Sequence, residues 1–203
     1  MILIFSRAPR PGTVKRRLIP ALGAQGAAEL HERMTEVAVE TAVSAGVAPV
    51  QLWCAPSAEH ASFQRLRERY AVTLQHQVGA DLGARMHHAF STVLREHAYA
   101  ILMGSDCPFL TAEDLSTAAE WLMTGWDAVI GPALDGGYVL IGLARPAPYL
   151  FADMAWGTDA VLAVTRQRLR GMGWRWSELA ARPDVDRPAD LDRLPRHWCK
   201  GRL

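Results

Sequence analysis

Hydrophobic positions along this chain fall into two alternating patterns. Short, nearly unbroken apolar runs occupy 2–6, 50–54, 72–75, 100–103, 128–131 and 138–143. Between most of them stand longer stretches, 24–45, 58–70, 82–98, 112–124 and 158–170, where a helical pattern is read. In the first, Leu30, Met34, Val37 and Thr41 share one helical face. Thr111, with Asp114 three residues on, is a capping start for the fourth. Short buried strands alternating with helices predict a mostly parallel sheet covered on both faces, a three-layer α/β/α fold. The alternation breaks after 128–131. There Pro132-Ala-Leu-Asp-Gly-Gly turns straight into the next apolar run, predicting a reversed or edge strand across the carboxyl rim of the sheet. From about 174 the chain is rich in Pro, Arg and Trp and predicts an irregular tail with at most a short helix at 188–194.

Bulk composition narrows the function classes. At 203 residues, with no internal repeat or linker-like segment, the chain is expected to form one domain over 1–203. Half the residues are hydrophobic and the net charge is +1, so no global field points to nucleic acid or a membrane surface. Three cysteines, with no C-x-x-C pair, support neither a disulfide framework nor a zinc knuckle. Neither a signal-peptide pattern nor a membrane-length apolar run is present, and the expectation is a soluble cytoplasmic protein.

Candidate chemistry gathers where predicted strands end. The run Ala100-Ile-Leu-Met-Gly104-Ser-Asp106-Cys-Pro108 presents a carboxylate just past a buried strand. That is where an open α/β sheet receives a metal or substrate; a turn or helix-cap aspartate is the plainer alternative. After the first strand, Arg7, Arg10, Lys15, Arg16 and Arg17 crowd a loop stiffened by Pro9, Pro11 and Gly12. Guanidinium forks and an ammonium suit a polyphosphate, although a solvated basic loop has the same composition and no P-loop spacing is present. In Gln77-Val-Gly79-Ala-Asp81-Leu-Gly83-Ala-Arg85, Asp81 suits a helix cap and Arg85 a first-turn contact. Asp135-Gly136-Gly137-Tyr138 marks a tight turn that lets main chain approach a ligand, or simply a hairpin. Trp156-Gly157-Thr158 precedes a helix. Asp184-Val185-Asp186 sets carboxylates on one side of an extended segment, before Arg187-Pro188. His87 and His88 are adjacent and share no ligand face, and no G-x-S-x-G elbow supports a covalent route.

Taken in order, F-S-R-A-P-R-P-G-T-V-K-R-R-L, Q-V-G-A-D-L-G-A-R-M, G-S-D-C-P, G-P-A-L-D-G-G-Y-V-L-I-G-L, W-G-T and D-V-D-R-P-A-D-L resemble a bacterial family of glycosyltransferase-A-fold nucleotide-diphospho-sugar transferases. Its members include proteins described as arsenosugar-biosynthesis or radical-SAM/selenodomain-associated glycosyltransferases. The fold is shared with 2-phospholactate and molybdenum cofactor guanylyltransferases. The resemblance runs from Phe5 to about Leu194. It implies that Asp106 is the metal-binding aspartate, with Asp186 or Asp184 as the late carboxylate completing a Mg²⁺ or Mn²⁺ site. Arg7, Lys15 and Arg17 would then meet the donor phosphates, and Asp81 and Arg85 would help bind the nucleotide. Asp135, Gly136, Gly137, Tyr138 and Trp156 would face the sugar or acceptor. Two positions depart from the family pattern: Arg16 stands where K-T-R-L has Thr, and Arg187 replaces the Thr of D-x-D-T.

The implied activity is divalent-metal-dependent transfer from a nucleotide-activated donor to a small-molecule acceptor, with Asp106 and Lys15 as the catalytic pair. Glycosyl transfer from a nucleotide-sugar is the first expectation. Nucleotidyl transfer from a nucleoside triphosphate, releasing pyrophosphate, is the alternative, and a non-catalytic nucleotide-binding module is a third.

Overall fold

Alternation within the first strand sets the layering. The structure, a computed structural model, describes residues 1–199, so the last residues of the expected 1–203 unit lie outside the described residues. In β1 (Ile2–Arg7), Ile2 and Ile4 join one apolar cluster while Leu3 and Phe5 join another on the opposite face. The first cluster is closed by α1 (Ile19–Ala45), α2 (Ala61–Tyr70) and α4 (Ala112–Met123). The second is closed by α3 (Leu82–Val93), α5 (Pro148–Phe151) and α6 (Val161–Gly171). The remaining strands are β2 (Val50–Ala55), β3 (Thr73–His76), β4 (Ala100–Gly104), β5 (Ala128–Pro132), β6 (Tyr138–Leu143) and β7 (Trp176–Glu178). They form one seven-stranded sheet in the order β3-β2-β1-β4-β6-β5-β7, the three-layer, mostly parallel α/β architecture expected from the alternation.

Strand β6 is reversed, as its short connection predicts, but it lies in the middle of the sheet rather than across its rim. It pairs antiparallel with β4 on one side and β5 on the other. Val139 to Leu143 are all buried, and a run apolar on both faces belongs in the interior of a sheet. Gly142 helps it fit, because a Cβ there would stand 2.8 Å from the Leu122 side chain of α4.

Several boundaries move for local reasons. Helical residues begin at Ile19 rather than 24, but Gly23 adopts φ +70° and breaks the helix, so the regular run starts where the periodicity places it. Helix α3 stops at Val93, short of 98, and α6 starts at Val161 rather than 158, because Thr158 bonds back to the Ala155 carbonyl instead of capping the helix. Thr111 and Asp114 form the capping box that their spacing predicts. The tail holds more than a short 3₁₀ turn at Pro188–Arg193. Its β7 extends the sheet parallel to β5, too short to stand out in a segment dense in Arg and Trp.

Phe90 of α3 is fully buried and stacks on Phe151, ring centroids 5.7 Å apart. Phe90→Ala is expected to cost about 3–5 kcal/mol of stability, read as a lowered urea midpoint with an unchanged slope.

Candidate active site

The site forms where the carboxyl ends of β1 and β4 meet the basic loop and the tail. The Thr13 N–H (3.1 Å) and hydroxyl (2.9 Å) both donate to the Arg10 carbonyl and fold the loop. Lys15 then takes a left-handed backbone conformation, φ 46°. That turn sends its side chain inward, leaving it only 3% exposed. Its ammonium donates to the Val185 carbonyl at 2.5 Å and meets Asp106 Oδ1 at 2.9 Å. Asp106 lies in the turn after β4, its side chain 52% exposed. Partial burial pushes its carboxyl up. The Lys15 ammonium and His31 outweigh that and hold it well below the usual carboxylate range. The neighbouring Cys107 thiol is raised by burial to about 11, which leaves it a poor nucleophile at neutral pH.

Val185 explains why the tail reaches this point. It is fully buried against Leu18, Leu30, Met34 and Leu191, and its N–H donates to the Asp106 carbonyl at 3.0 Å. The two flanking aspartates diverge. Asp184 lines the same cavity as Asp106 and Asp135, whereas Asp186 pairs with Arg17 beside the basic loop. Burial pushes the Asp184 carboxyl above its ordinary value, and the Asp135 and Asp186 carboxylates push the same way. Asp190 accepts from the N–H groups of Asp186 and Arg187, so Arg187 serves as the cap of the 3₁₀ turn.

Two cavities result, sharing Arg7, His31 and Asp106. One, about 590 Å³, is lined by the loop cations Arg7, Lys15, Arg16 and Arg17 together with Asp186. The other, about 420 Å³, runs beneath Phe5, Leu82, Met86, Tyr138 and Trp156, with Arg85, Asp135, Gly137 and Asp184 at polar positions. Tyr138 and Trp156 meet edge-on, ring centroids 6.3 Å apart. Gly83 makes room for this wall, since a Cβ there would stand 2.5 Å from the Phe151 carbonyl and 2.9 Å from Trp156 Nε1. Gly136, at φ +90°, lies behind the cavity, where a Cβ would come within 2.4 Å of the Asp159 carbonyl.

Most of the residues singled out from sequence therefore come together. Asp81 does not line either cavity; its side chain accepts from the Ala84 N–H and caps α3. His31 is the residue that sequence reasoning missed. It occupies the buried stripe of α1 with Ala27, Met34 and Ala38, and a histidine at such spacing is the signal that could have found it.

Residues 38–158 match a bacterial family described as uncharacterized conserved proteins, DUF2064. The chain belongs to this family. A protein from Desulfovibrio desulfuricans G20, described as a candidate nucleotide-diphospho-sugar transferase, is 30% identical. The match covers 92% of this chain and 81% of that one, with a TM-score of 0.83. More distant structures share the fold. CMP:2-keto-3-deoxy-manno-octonic acid synthetase with CTP is 14% identical, with a TM-score of 0.60 and 95% of each chain covered. Rv0371c from Mycobacterium tuberculosis H37Rv, in complex with manganese, is 17% identical, with a TM-score of 0.59 and coverage of 95% of this chain and 96% of that one. No curated protein matches the family member described here. None of its helices, among the described residues, is long and apolar enough to cross a membrane.

The two cleft carboxylates carry opposite pH signatures. Asp106, lowered in the fold, adds stability that is present above its ordinary value near 3.8 and is lost as pH falls through the folded value. For Asp184, raised in the fold, the contribution is present below 3.8 and is lost as pH rises through the raised value. At pH 7, Asp106→Asn is expected to lower Tm by about 3–6 °C, because it leaves the Lys15 ammonium without its charge partner. Asp184→Asn is expected to raise Tm by about 1–3 °C and to flatten its fall between pH 4 and 7. Thermal melts across that range check both signs.

Proposed function

We propose that this chain is a divalent-metal-dependent transferase acting on a nucleotide-activated donor, with glycosyl transfer from a nucleotide-sugar as the reaction. The observation that carries this reading is the junction at Asp106 of a cation-lined cavity and a largely apolar one walled by Tyr138 and Trp156. A nucleotide-sugar has the same division, a diphosphate flanked by rings. The description given to the 30%-identical relative points the same way.

Among the described residues no group of three or more His, Cys, Asp or Glu is already assembled, so a metal would be held by the cleft carboxylates together with the donor phosphates. Asp184 is a carboxylate raised by burial and by two carboxylate neighbours, an arrangement that a bound cation relieves. Asp106 and Asp184 would hold the ion, Mg²⁺ or Mn²⁺, with Asp186 as the alternative if it releases Arg17. When bound, the ion would neutralise charge on the donor phosphates. Arg7, Arg17 and the Lys15 ammonium would bind those phosphates and stabilise charge gathering on the leaving oxygens. Arg85 and the 77–85 loop would orient the nucleotide, with Asp81 fixing the first turn of α3. The Asp135-Gly136-Gly137 turn, Tyr138 and Trp156 would bind the sugar and a small-molecule acceptor and exclude water from the transfer. The whole chain would act as one catalytic unit in the cytoplasm.

Nucleotidyl transfer is the second reading, favoured specifically by the four loop cations around one cavity, enough charge for a triphosphate. Product analysis separates the two. Incubated with nucleotide-sugars or nucleoside triphosphates, candidate acceptors and Mn²⁺ or Mg²⁺, the full chain is expected to release a nucleoside diphosphate from a nucleotide-sugar. Pyrophosphate release from a triphosphate would replace that reading with the second. Lys15→Met is expected to lower kcat/KM by about 10²-fold or more. Nucleotide-induced stabilisation that is indifferent to metal, to Lys15→Met and to Asp106→Asn, with no turnover, would identify a binding module instead.

A further inference from the structure

His31 is an unexplained buried group in the cleft. It lies on α1, its side chain 5% exposed, and borders both cavities. Its Nε2 stands 2.9 Å from the Arg7 carbonyl oxygen, which can only accept, so Nε2 carries the hydrogen. Thr35 and Ser6 brace the arrangement. The Thr35 hydroxyl donates to the His31 carbonyl at 2.9 Å, and the Ser6 hydroxyl lies 2.9 Å from Thr35 Oγ1 and 3.4 Å from His31 Nε2. The ring plane is thereby fixed, with Nδ1 as the nitrogen left to the cleft. That nitrogen is buried, has no hydrogen-bond partner among the described residues, and faces Asp106 Oδ1 across 3.6 Å.

An imidazole nitrogen and a carboxylate oxygen facing one another across a buried gap are joined favourably only by something electron-poor, a proton on Nδ1 or a cation that displaces it. A histidine with one ring nitrogen donating to a backbone carbonyl and the other turned to the cleft is also the arrangement by which proteins orient a metal-ligating imidazole. We infer that His31 Nδ1 is a metal ligand beside Asp106, and that this nitrogen selects a first-row transition cation such as Mn²⁺ over Mg²⁺. The inference rests on the metal reading proposed above and adds a donor to it. Carboxylates and phosphates suit Mg²⁺ and Mn²⁺ alike, while an imidazole ligand adds affinity for first-row transition ions over Mg²⁺. Among the described residues, no group of three or more His, Cys, Asp or Glu is already assembled as a metal site. The His31–Asp106 pair would be completed by Asp184 and the donor phosphates. Lys15, which lines only the cation-rich cavity, is the resident counter-charge of Asp106, and a divalent ion held by the pair shares that carboxylate with it.

The test uses Mn²⁺ as probe on the full chain, with and without a nucleoside diphosphate. Electron spin-echo spectroscopy of bound Mn²⁺ is expected to show the nitrogen coupling of a directly bonded imidazole. His31→Gln can keep an amide donor to the Arg7 carbonyl while deleting the ligand nitrogen. It is expected to abolish that coupling, to weaken Mn²⁺ binding by about 10–100-fold, and to leave Mg²⁺ binding within a few-fold. Mn²⁺ that binds, is lost in Asp106→Asn, yet shows no nitrogen coupling in the unaltered chain overturns the His31 assignment and leaves the metal reading standing. A coupling that survives in His31→Gln also overturns it. Failure of the unaltered chain to bind Mn²⁺ under either condition overturns both. The spectrum of the unaltered chain decides the central point even if His31→Gln folds poorly.

Discussion

One buried ammonium joins three segments that are distant in sequence. Lys15 comes from the loop after β1, Asp106 from the turn after β4, and the Val185 carbonyl from the tail, and the Lys15 side chain bonds the latter two. A lysine this enclosed is stable as a cation only with its bonds satisfied, so its burial constrains all three segments together. The left-handed backbone at Lys15 follows from the same requirement. It turns the side chain under the loop and leaves the guanidinium groups of Arg7 and Arg17 at the cavity. The ion pair therefore both positions the cations of the cleft and draws Asp106 away from ordinary carboxylate behaviour.

The rest of the fold supplies rigid edges to this junction. Placing β6 between β4 and β5 brings the Asp135 turn and Tyr138 beside the end of β4, opposite the basic loop. Parallel addition of β7 leads the chain back along β5, where the Leu179 N–H bonds the Ile130 carbonyl and Arg182 exchanges backbone bonds with Pro132 and Leu134. Arg182 also reaches Asp114, itself part of the α4 capping box. From there, only a short span separates the tail from Val185 and its apolar socket against α1. Each contact is modest. Their succession carries the late carboxylates across the carboxyl edge of the sheet.

The fold was largely legible in the sequence because its signals are local. Strand runs such as 138–143 and the Thr111–Asp114 cap declare themselves within a few residues. The position of β6 within the sheet was not legible, because a turn length fixes strand direction but not the neighbours a strand finds. For the cleft, motif order alone groups Arg7, Lys15, Asp106, Asp135 and Asp184 as candidates for one site. Their division between two cavities depends on the burial of Val185, which points Asp184 and Asp186 to different places. No spacing rule reports that. Asp81 shows the converse, since a polar residue in a glycine-rich loop reads alike whether it touches a ligand or caps a helix.

His31 is another buried polar group that borders the cleft. Within α1 it holds a position that its neighbours fill with alanine and methionine, and an apolar side chain there would complete the core at less cost. Ser6 and Thr35 add two more hydroxyls to the same interior spot, and all three are almost fully enclosed. Such a network is favourable only when nearly every member is satisfied. Here every bond closes around Nε2 while Nδ1 is left over, on the side facing Asp106. Closing that gap takes a proton shared with Asp106 or a cation that replaces it.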